Sequence, residues 1–261
     1  DDFQFLTATD FAFVPAETPL NFGIADEFSQ NVQDTFYNTK LTLTNGKTYI
    51  LTAAGIDGDP NIPFGLKVFD QAQEVAADTN QSDVAFLHGA LEISSPLDFK
   101  ENYLNATFAN DLTFGKTSGY SNFAPGPGDF GIYLQPSGIF LKEGRATLTK
   151  GGAGVVFATT NPSVNPSLEL YLLNADGTID LLGEPKRTNL QVIHNSPSPR
   201  VDIYYGGTRI FDNADFRHYN DFVAYSDRPA SVSIAPDTST SVKSAFATAP
   251  VSLEQGKNYA A

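Results

Sequence analysis

Val201-Asp202-Ile203-Tyr204 alternates apolar with polar side chains, and the same two-residue period runs through Lys40-Leu41-Thr42-Leu43-Thr44 and Ser231-Val232-Ser233-Ile234. An extended chain turns successive side chains to opposite faces, so each segment reads as a strand with one face buried. Turn dipeptides stand between such segments, at Asn45-Gly46, Asp57-Gly58, Asp176-Gly177 and Gly206-Gly207, with a proline-rich joint at Pro125-Gly126-Pro127-Gly128. No segment carries a sustained helical period with caps. The 21 Phe and 11 Tyr are strand formers bulky enough to fill the space between two sheets. The expected fold class is all-β: tandem immunoglobulin-like β-sandwich domains, with the end domains incomplete.

The incompleteness follows from internal similarity. Asn110-Asp111-Leu112-Thr113-Phe114 through Phe130-Gly131-Ile132 repeats the layout of Asp1-Asp2-Phe3-Gln4-Phe5 through Phe22-Gly23-Ile24, about 108 residues earlier. Leu190-Gln191-Val192-Ile193-His194 matches Asp83-Val84-Ala85-Phe86-Leu87-His88, and Gly256-Lys257-Asn258-Tyr259 matches Gly46-Lys47-Thr48-Tyr49. A period of this size makes one full unit flanked by two partial ones. The expected domains are 1–80, lacking the first strands of the unit; 83–183, complete; and 188–261, lacking the closing hairpin that residues 168–182 supply in the middle copy. Within the middle copy, strands are expected near 84–88, 97–100, 130–134, 145–149, 154–159, 168–173 and 178–182. Short stretches at 78–82 and 183–187 form the expected boundaries.

With no Cys, the chain has no disulfide, thiol nucleophile or cysteine metal site. Met is also absent, position 1 included, which fits an exported chain that has lost an N-terminal segment. Sixteen Lys and Arg against 30 Asp and Glu give a formal charge of −14. That balance argues against nucleic acid or an anionic membrane surface as partner. No apolar run is long enough to span a bilayer.

Asn189-Leu190-Gln191-Val192-Ile193-His194-Asn195-Ser196-Pro197, then Val201-Asp202-Ile203-Tyr204-Tyr205-Gly206-Gly207 and Phe211-Asp212-Asn213-Ala214-Asp215-Phe216, resembles a bacterial domain-of-unknown-function family, the one numbered four-three-nine-seven. Its pattern is a V-x-x-H-x-S-P strand, a V-D-[IV]-Y-x-x-G hairpin and an F-x-x-[VA]-x-F segment. The middle copy departs from it: His88-Gly89-Ala90 replaces H-x-S-P, Leu97-Asp98-Phe99 stands for V-D-[IV], and Phe108-Ala109-Asn110 precedes Phe114. The resemblance implies a secreted or surface-anchored protein of tandem sandwiches, and no reaction.

His88 and His194 occupy equivalent places in two copies with no shared nucleophile beside them, so the expectation is an imidazole bonded to a turn. His218 is expected to be exposed. Asp98 and Asp202 follow the Ser-Pro turns 95–96 and 198–199 and are expected to accept backbone N–H groups. Asp176 and Asp180, and separately Asp57 and Asp59, are the weak calcium candidates, since hard cations take several oxygens on a tight turn. The sister hairpin around Asp70 lacks the Gly, which favours turn chemistry. No G-x-S-x-G elbow and no spaced metal-ligand pair appears, so no enzyme is expected.

An incomplete sandwich exposes backbone groups and apolar side chains that a neighbour can cover. The broken ends fit equally a subunit that polymerises and an ordered part of a longer repeat protein, since both supply identical neighbours. The expected function is a structural subunit of an extracellular bacterial filament or surface array, joined head to tail to copies of itself. One side of the junction is assigned to Phe3, Phe5, Phe11, Phe13 and Phe22, the other to Val232, Ile234, Phe246, Val251, Leu253 and Tyr259. The alternative is a surface adhesin or carbohydrate-binding module that stacks sugars on Tyr103, Tyr120, Tyr204, Tyr205 and Tyr219.

Overall fold

The computed structural model describes residues 4–104, 106–161 and 167–261. The protein is all-β, and it divides into two compact units, Asp1–Gly183 and Glu184–Ala261.

The first unit opens with two hairpins. Strands β1 (Pro19–Ala25) and β2 (Thr35–Thr42) pair antiparallel on either side of a 3-10 turn, Val32–Asp34. Leu20 lies opposite Leu41 and Ile24 opposite Tyr37, so the apolar side chains share one face. Strands β3 (Ile50–Ala54) and β4 (Gly65–Phe69) form the second hairpin. The rings of Phe36 and Tyr37 meet that of Phe64 at 5.4 and 5.9 Å between centroids.

The sandwich of the first unit follows. Its strands are β5 (Ser82–Gly89), β6 (Leu97–Glu101), β7 (Ala106–Leu112), β8 (Ser121–Phe123), β9 (Gly126–Leu134), β10 (Ile139–Leu148), β11 (Ala153–Thr160), β12 (Leu168–Asn174) and β13 (Ile179–Leu181). One sheet runs β10-β9-β6-β7 and the other β13-β12-β11-β5-β8. Strands β5 and β11 run parallel, and every other pairing is antiparallel. The seven expected strands are all present; β7 and β8 are additional. Between the sheets, Phe86 lies 5.2 Å from Phe99 and 5.6 Å from Phe130 by ring centroids, and all three are fully buried. Burying each ring stabilises the fold by about 1.5–3 kcal/mol.

The pair β5 and β11 is covered on both faces. Val84, Phe86, Val156 and Ala158 point into the sandwich, while Ala85 and Val155 belong to a second cluster with Phe69 and Ala72, against which Phe11, Ile50, Leu87 and Leu173 pack. The β3–β4 hairpin thus lies on the outside of the five-stranded sheet.

The second unit comprises β14 (Arg187–Gln191), β15 (Ile193–His194), β16 (Val201–Tyr205), β17 (Thr208–Ala214), β18 (His218–Tyr219), β19 (Val223–Ser226), β20 (Ala230–Pro236), a 3-10 turn at Val242–Ser244, β21 (Ala247–Val251) and β22 (Asn258–Ala260). Its larger sheet, β17-β16-β20-β21, has the strand order of β7-β6-β9-β10. Its three-stranded sheet, β19-β14-β22, has that of β8-β5-β11, down to the parallel pairing of β14 with β22. Among the described residues, nothing occupies the place that β12 holds beside β11.

Candidate interaction surface

The vacant place is an apolar groove of about 220 Å³ lined by Leu190, Val232, Val251, Leu253, Tyr259 and the chain segment beyond it. It opens between β21 and β22, the last strands of their two sheets. In the first unit the equivalent space is filled by Leu170, Leu172 and Leu182, all buried in the main core. The backbone edge of β22 is open as well. Lys257 C=O accepts the Asn189 N–H, and Ala261 both donates to Gln191 C=O and accepts from the Ile193 N–H. Backbone groups alternate sides along a strand, so those of Asn258 and Ala260 face outward.

Of the six residues assigned to this side, Val232, Val251, Leu253 and Tyr259 line the groove. Ile234 packs against the unit's core instead, and Phe246 stands 60% exposed with its N–H bonded to Ile234 C=O at 2.9 Å. Leu190, on the groove wall, went unassigned; its match to Val84, a core residue, is the signal that marks it.

On the other side, Phe5 is 60% exposed and Phe13 is fully exposed. Phe22 is half-buried on β1. Phe11 is half-buried and packs against the outer cluster of its own unit. Phe3 lies outside the described residues. The apolar face of the β1–β2 hairpin, carrying Leu20, Phe22, Ile24, Tyr37 and Leu41, is only half covered, whereas the matching Phe130 and Ile132 of β9 are fully buried.

The polar candidates hold the fold. His88 Nε2 bonds Ser95 C=O at 3.3 Å and His194 Nε2 bonds Pro199 C=O at 3.0 Å, as expected of turn-bonded imidazoles. Burial pushes the His88 pKa down, against the pull of the Ser95 and Ile93 carbonyls. His218 is exposed, edge-on to Phe211. Asp98 accepts the Asp111 N–H and Asp202 the Asn213 N–H, at 2.9 and 2.8 Å. Burial works to raise the Asp202 pKa, yet Asn213, Ser239 and Arg209 together hold it below the usual carboxylate value.

Asp176 Oδ1 accepts both N–H and Oγ1–H of Thr178, Asp180 accepts Asn174 Nδ2–H, and Asp59 accepts the Asn61 N–H. These bonds are turn chemistry, and among the described residues no three His, Asp or Glu side chains converge as a metal site would require. Asp57 has no such turn bond among the described contacts.

Of the five tyrosines of the alternative sugar platform, two are inside and Tyr103 and Tyr120 are half-buried. Tyr204 and Tyr205 are buried, the first hydrogen-bonded to Ser239 Oγ at 2.7 Å, and Tyr120 stacks on Phe69 and accepts the Gln73 N–H. Strand β16 is buried on both faces, which its alternating sequence does not show. Tyr219 alone of the five is exposed, at 63%.

No family model matches the chain, and no curated protein matches it. Among the described residues, no helix is long and apolar enough to cross a membrane.

Proposed function

We propose that this chain is a structural subunit of an extracellular filament or surface array, joined head to tail by completion of an unfinished β-sandwich. The observation that carries it is the groove between β21 and β22, which has an apolar lining and an open backbone edge in the place where the first unit seats β12. The half-covered face of β1–β2 and the exposed Phe5 and Phe13 supply a second, different surface. Two unlike surfaces on one chain form a heterologous contact, which propagates when its rotation does not close. The three segments are read as copies of one unit, supported by the shared strand order of the two sandwiches. A place at the bacterial cell surface, in the manner of the family that residues 189–261 resemble, belongs to the same proposal. The net charge of −14 supports it, since self-repulsion keeps unassembled subunits apart and salt relieves it.

Negative-stain electron microscopy at micromolar concentration, with and without calcium, tests the reading. Thin uniform filaments are expected, and Val251→Asp should abolish them while the first unit stays folded. Dispersed particles from the wild-type chain under all these conditions, or filaments from Val251→Asp indistinguishable from wild type, overturn it.

A further inference from the structure

The second unit carries a cluster of side chains that its core does not use. Ile193 and Tyr219 lie opposite each other across β15 and β18, with Phe216 and Phe222 three residues to either side of Tyr219, and all four are 43–63% exposed. The Arg217 guanidinium lies over the Phe216 ring, 4.8 Å from its centroid. Leu190 and Val192 belong to the core, so Ile193 stands on the face turned away from it. Apolar side chains gathered in this way on a surface mark an interaction site.

The first unit has the matching face, fitted differently. Gly115 N–H bonds His88 C=O at 2.7 Å as Arg217 N–H bonds His194 C=O at 2.6 Å, and Leu87 bridges Thr117 as Ile193 pairs with Tyr219. Val84 pairs with Ser121 as Leu190 pairs with Val223, which sets Tyr120 against Phe222 without a gap. In the first unit the β3–β4 hairpin covers this face through two fittings. Tyr120 stacks on Phe69 and accepts the Gln73 N–H, and Gly115 leaves room for the Lys67 side chain, which a Cβ would approach to 3.2 Å. The second unit lacks both. Phe222 has no hydroxyl to accept a bond, and Arg217 puts a long side chain where Lys67 would lie. It does so at a positive φ of 63°, a backbone conformation that costs free energy away from glycine. This face is therefore built for an occupant unlike the β3–β4 hairpin, one that a cation among rings attracts.

The tip of the β1–β2 hairpin has that chemistry. Phe28 is 80% and Val32 74% exposed there, among Asp26, Glu27 and Asp34. Its own bonds hold the tip in shape: Asp26 Oδ1 accepts the Phe28 N–H at 3.0 Å, and Asp34 Oδ2 accepts those of Gln30 and Asn31 at 3.1 and 3.0 Å. Residues 1–80 carry 12 Asp and Glu against three Lys, whereas residues 184–261 carry eight charges of each sign and five of the chain's six Arg. An acidic apolar tip and an apolar face that presents an arginine are complementary.

We infer that the cluster of Ile193, Phe216, Tyr219 and Phe222 receives the β1–β2 tip of a second copy of this chain, with Phe28 and Val32 among its rings and Glu27 paired with Arg217. The contact rests on the assembly reading for its setting, but it uses neither the groove nor the edge of β22.

Sedimentation velocity of the full chain carrying Val251→Asp, which removes the groove junction, reads this contact alone. Association that grows with concentration is expected. Phe28→Ser and Phe222→Ser, both at exposed sites, should each weaken it about tenfold, the scale of an interface anchor. Arg217→Glu should weaken it as well, and Glu27→Arg added to that chain should restore it. A Val251→Asp chain that stays monomeric at every concentration, or association that Phe28→Ser, Phe222→Ser and Arg217→Glu all leave unchanged, overturns the inference. Wild-type filaments alongside either of those results would leave the assembly reading standing without this contact. Association lost in Phe28→Ser and Phe222→Ser, in a protein whose wild type forms no filaments, would support the contact and remove the assembly.

Discussion

Asp202 accepts the backbone N–H of Asn213 at 2.8 Å, and Asn213 holds a positive φ of 57°. The first unit repeats the arrangement, with Asp98 accepting from Asp111 at 2.9 Å and a φ of 50°. In both, the pairing of the two strands slips in register just there. A left-handed residue is costly away from glycine, and an inward carboxylate that takes its N–H offsets that cost. The recurring Asp of the strand is thus a clamp on a bulge in the neighbouring strand.

Removing the clamp should be expensive. Asp202 is fully buried and also accepts from Ser239 Oγ at 2.5 Å and from Arg209 at 3.4 Å. Asp202→Ala strands these donors and should cost about 1–3 kcal/mol, read as a lower urea midpoint at unchanged slope. A loss within about 0.5 kcal/mol, the range of ordinary surface substitutions, would show that the bulge holds without it.

A second buried carboxylate behaves differently. Asp129 is fully buried and faces Arg145 through two bonds, 2.6 Å from Nε and 2.8 Å from Nη2. Asp129→Ala removes the carboxylate that faces this mostly buried guanidinium and should cost about 3–5 kcal/mol, whereas replacing both residues with apolar ones, Asp129→Leu with Arg145→Met, should restore much of it. Thermal unfolding of the single and double variants decides this, and a double variant no more stable than the single would refute it.

Acid should loosen both units. The folded-state pKa of His88 lies below 6.5 because of burial, and that of Asp202 below 3.8 because its hydrogen bonds outweigh burial. In each case the unfolded chain takes up the proton first. The His88 contribution is therefore present above pH 6.5 and declines below it, and the Asp202 contribution declines only below pH 3.8. Stability measured from pH 8 to 3 should fall in two steps, and His88→Gln should flatten the upper one.

At the other end of the chain, Phe5 is 60% exposed. Phe5→Asp should leave the unfolding free energy measured in urea within about 0.5 kcal/mol of wild type while preventing filament formation in electron microscopy. Assembly unchanged in this variant would remove Phe5 from the junction.

Much of this was legible in the sequence because strand period and turn dipeptides are local signals. The seven strands expected in the middle copy, the turn-bonded histidines and the Asp98–Asp202 equivalence were read that way. Strand β7 was not, because Asn110-Asp111 reads as a turn and the positive φ of Asp111 breaks the alternation, while β8 is only three residues long. Nothing near Phe11 in sequence indicates Ala85 and Val155, the distant residues against which it packs. The near-continuous apolar run Val84-Ala85-Phe86-Leu87 did carry a clue, since such runs mark strands covered on both faces. Tyr204 and Tyr205 were placed in solvent for the same reason in reverse: the period shows which side chains share a face and does not show whether both faces are covered.

The double cover on β5 and β11 also orders events in time. The β3–β4 hairpin rests on a surface made by Ala85, Val155 and Leu173, all later in the chain. On the ribosome, the first eighty or so residues leave the exit tunnel before their seat has been synthesised, at about 5–20 residues per second. They must wait, with Phe11 and Phe69 in water, until strand β12 has emerged and the sheet has closed. In that interval the nascent chain presents its most aromatic segment unprotected, which is when a chaperone would have most to hold.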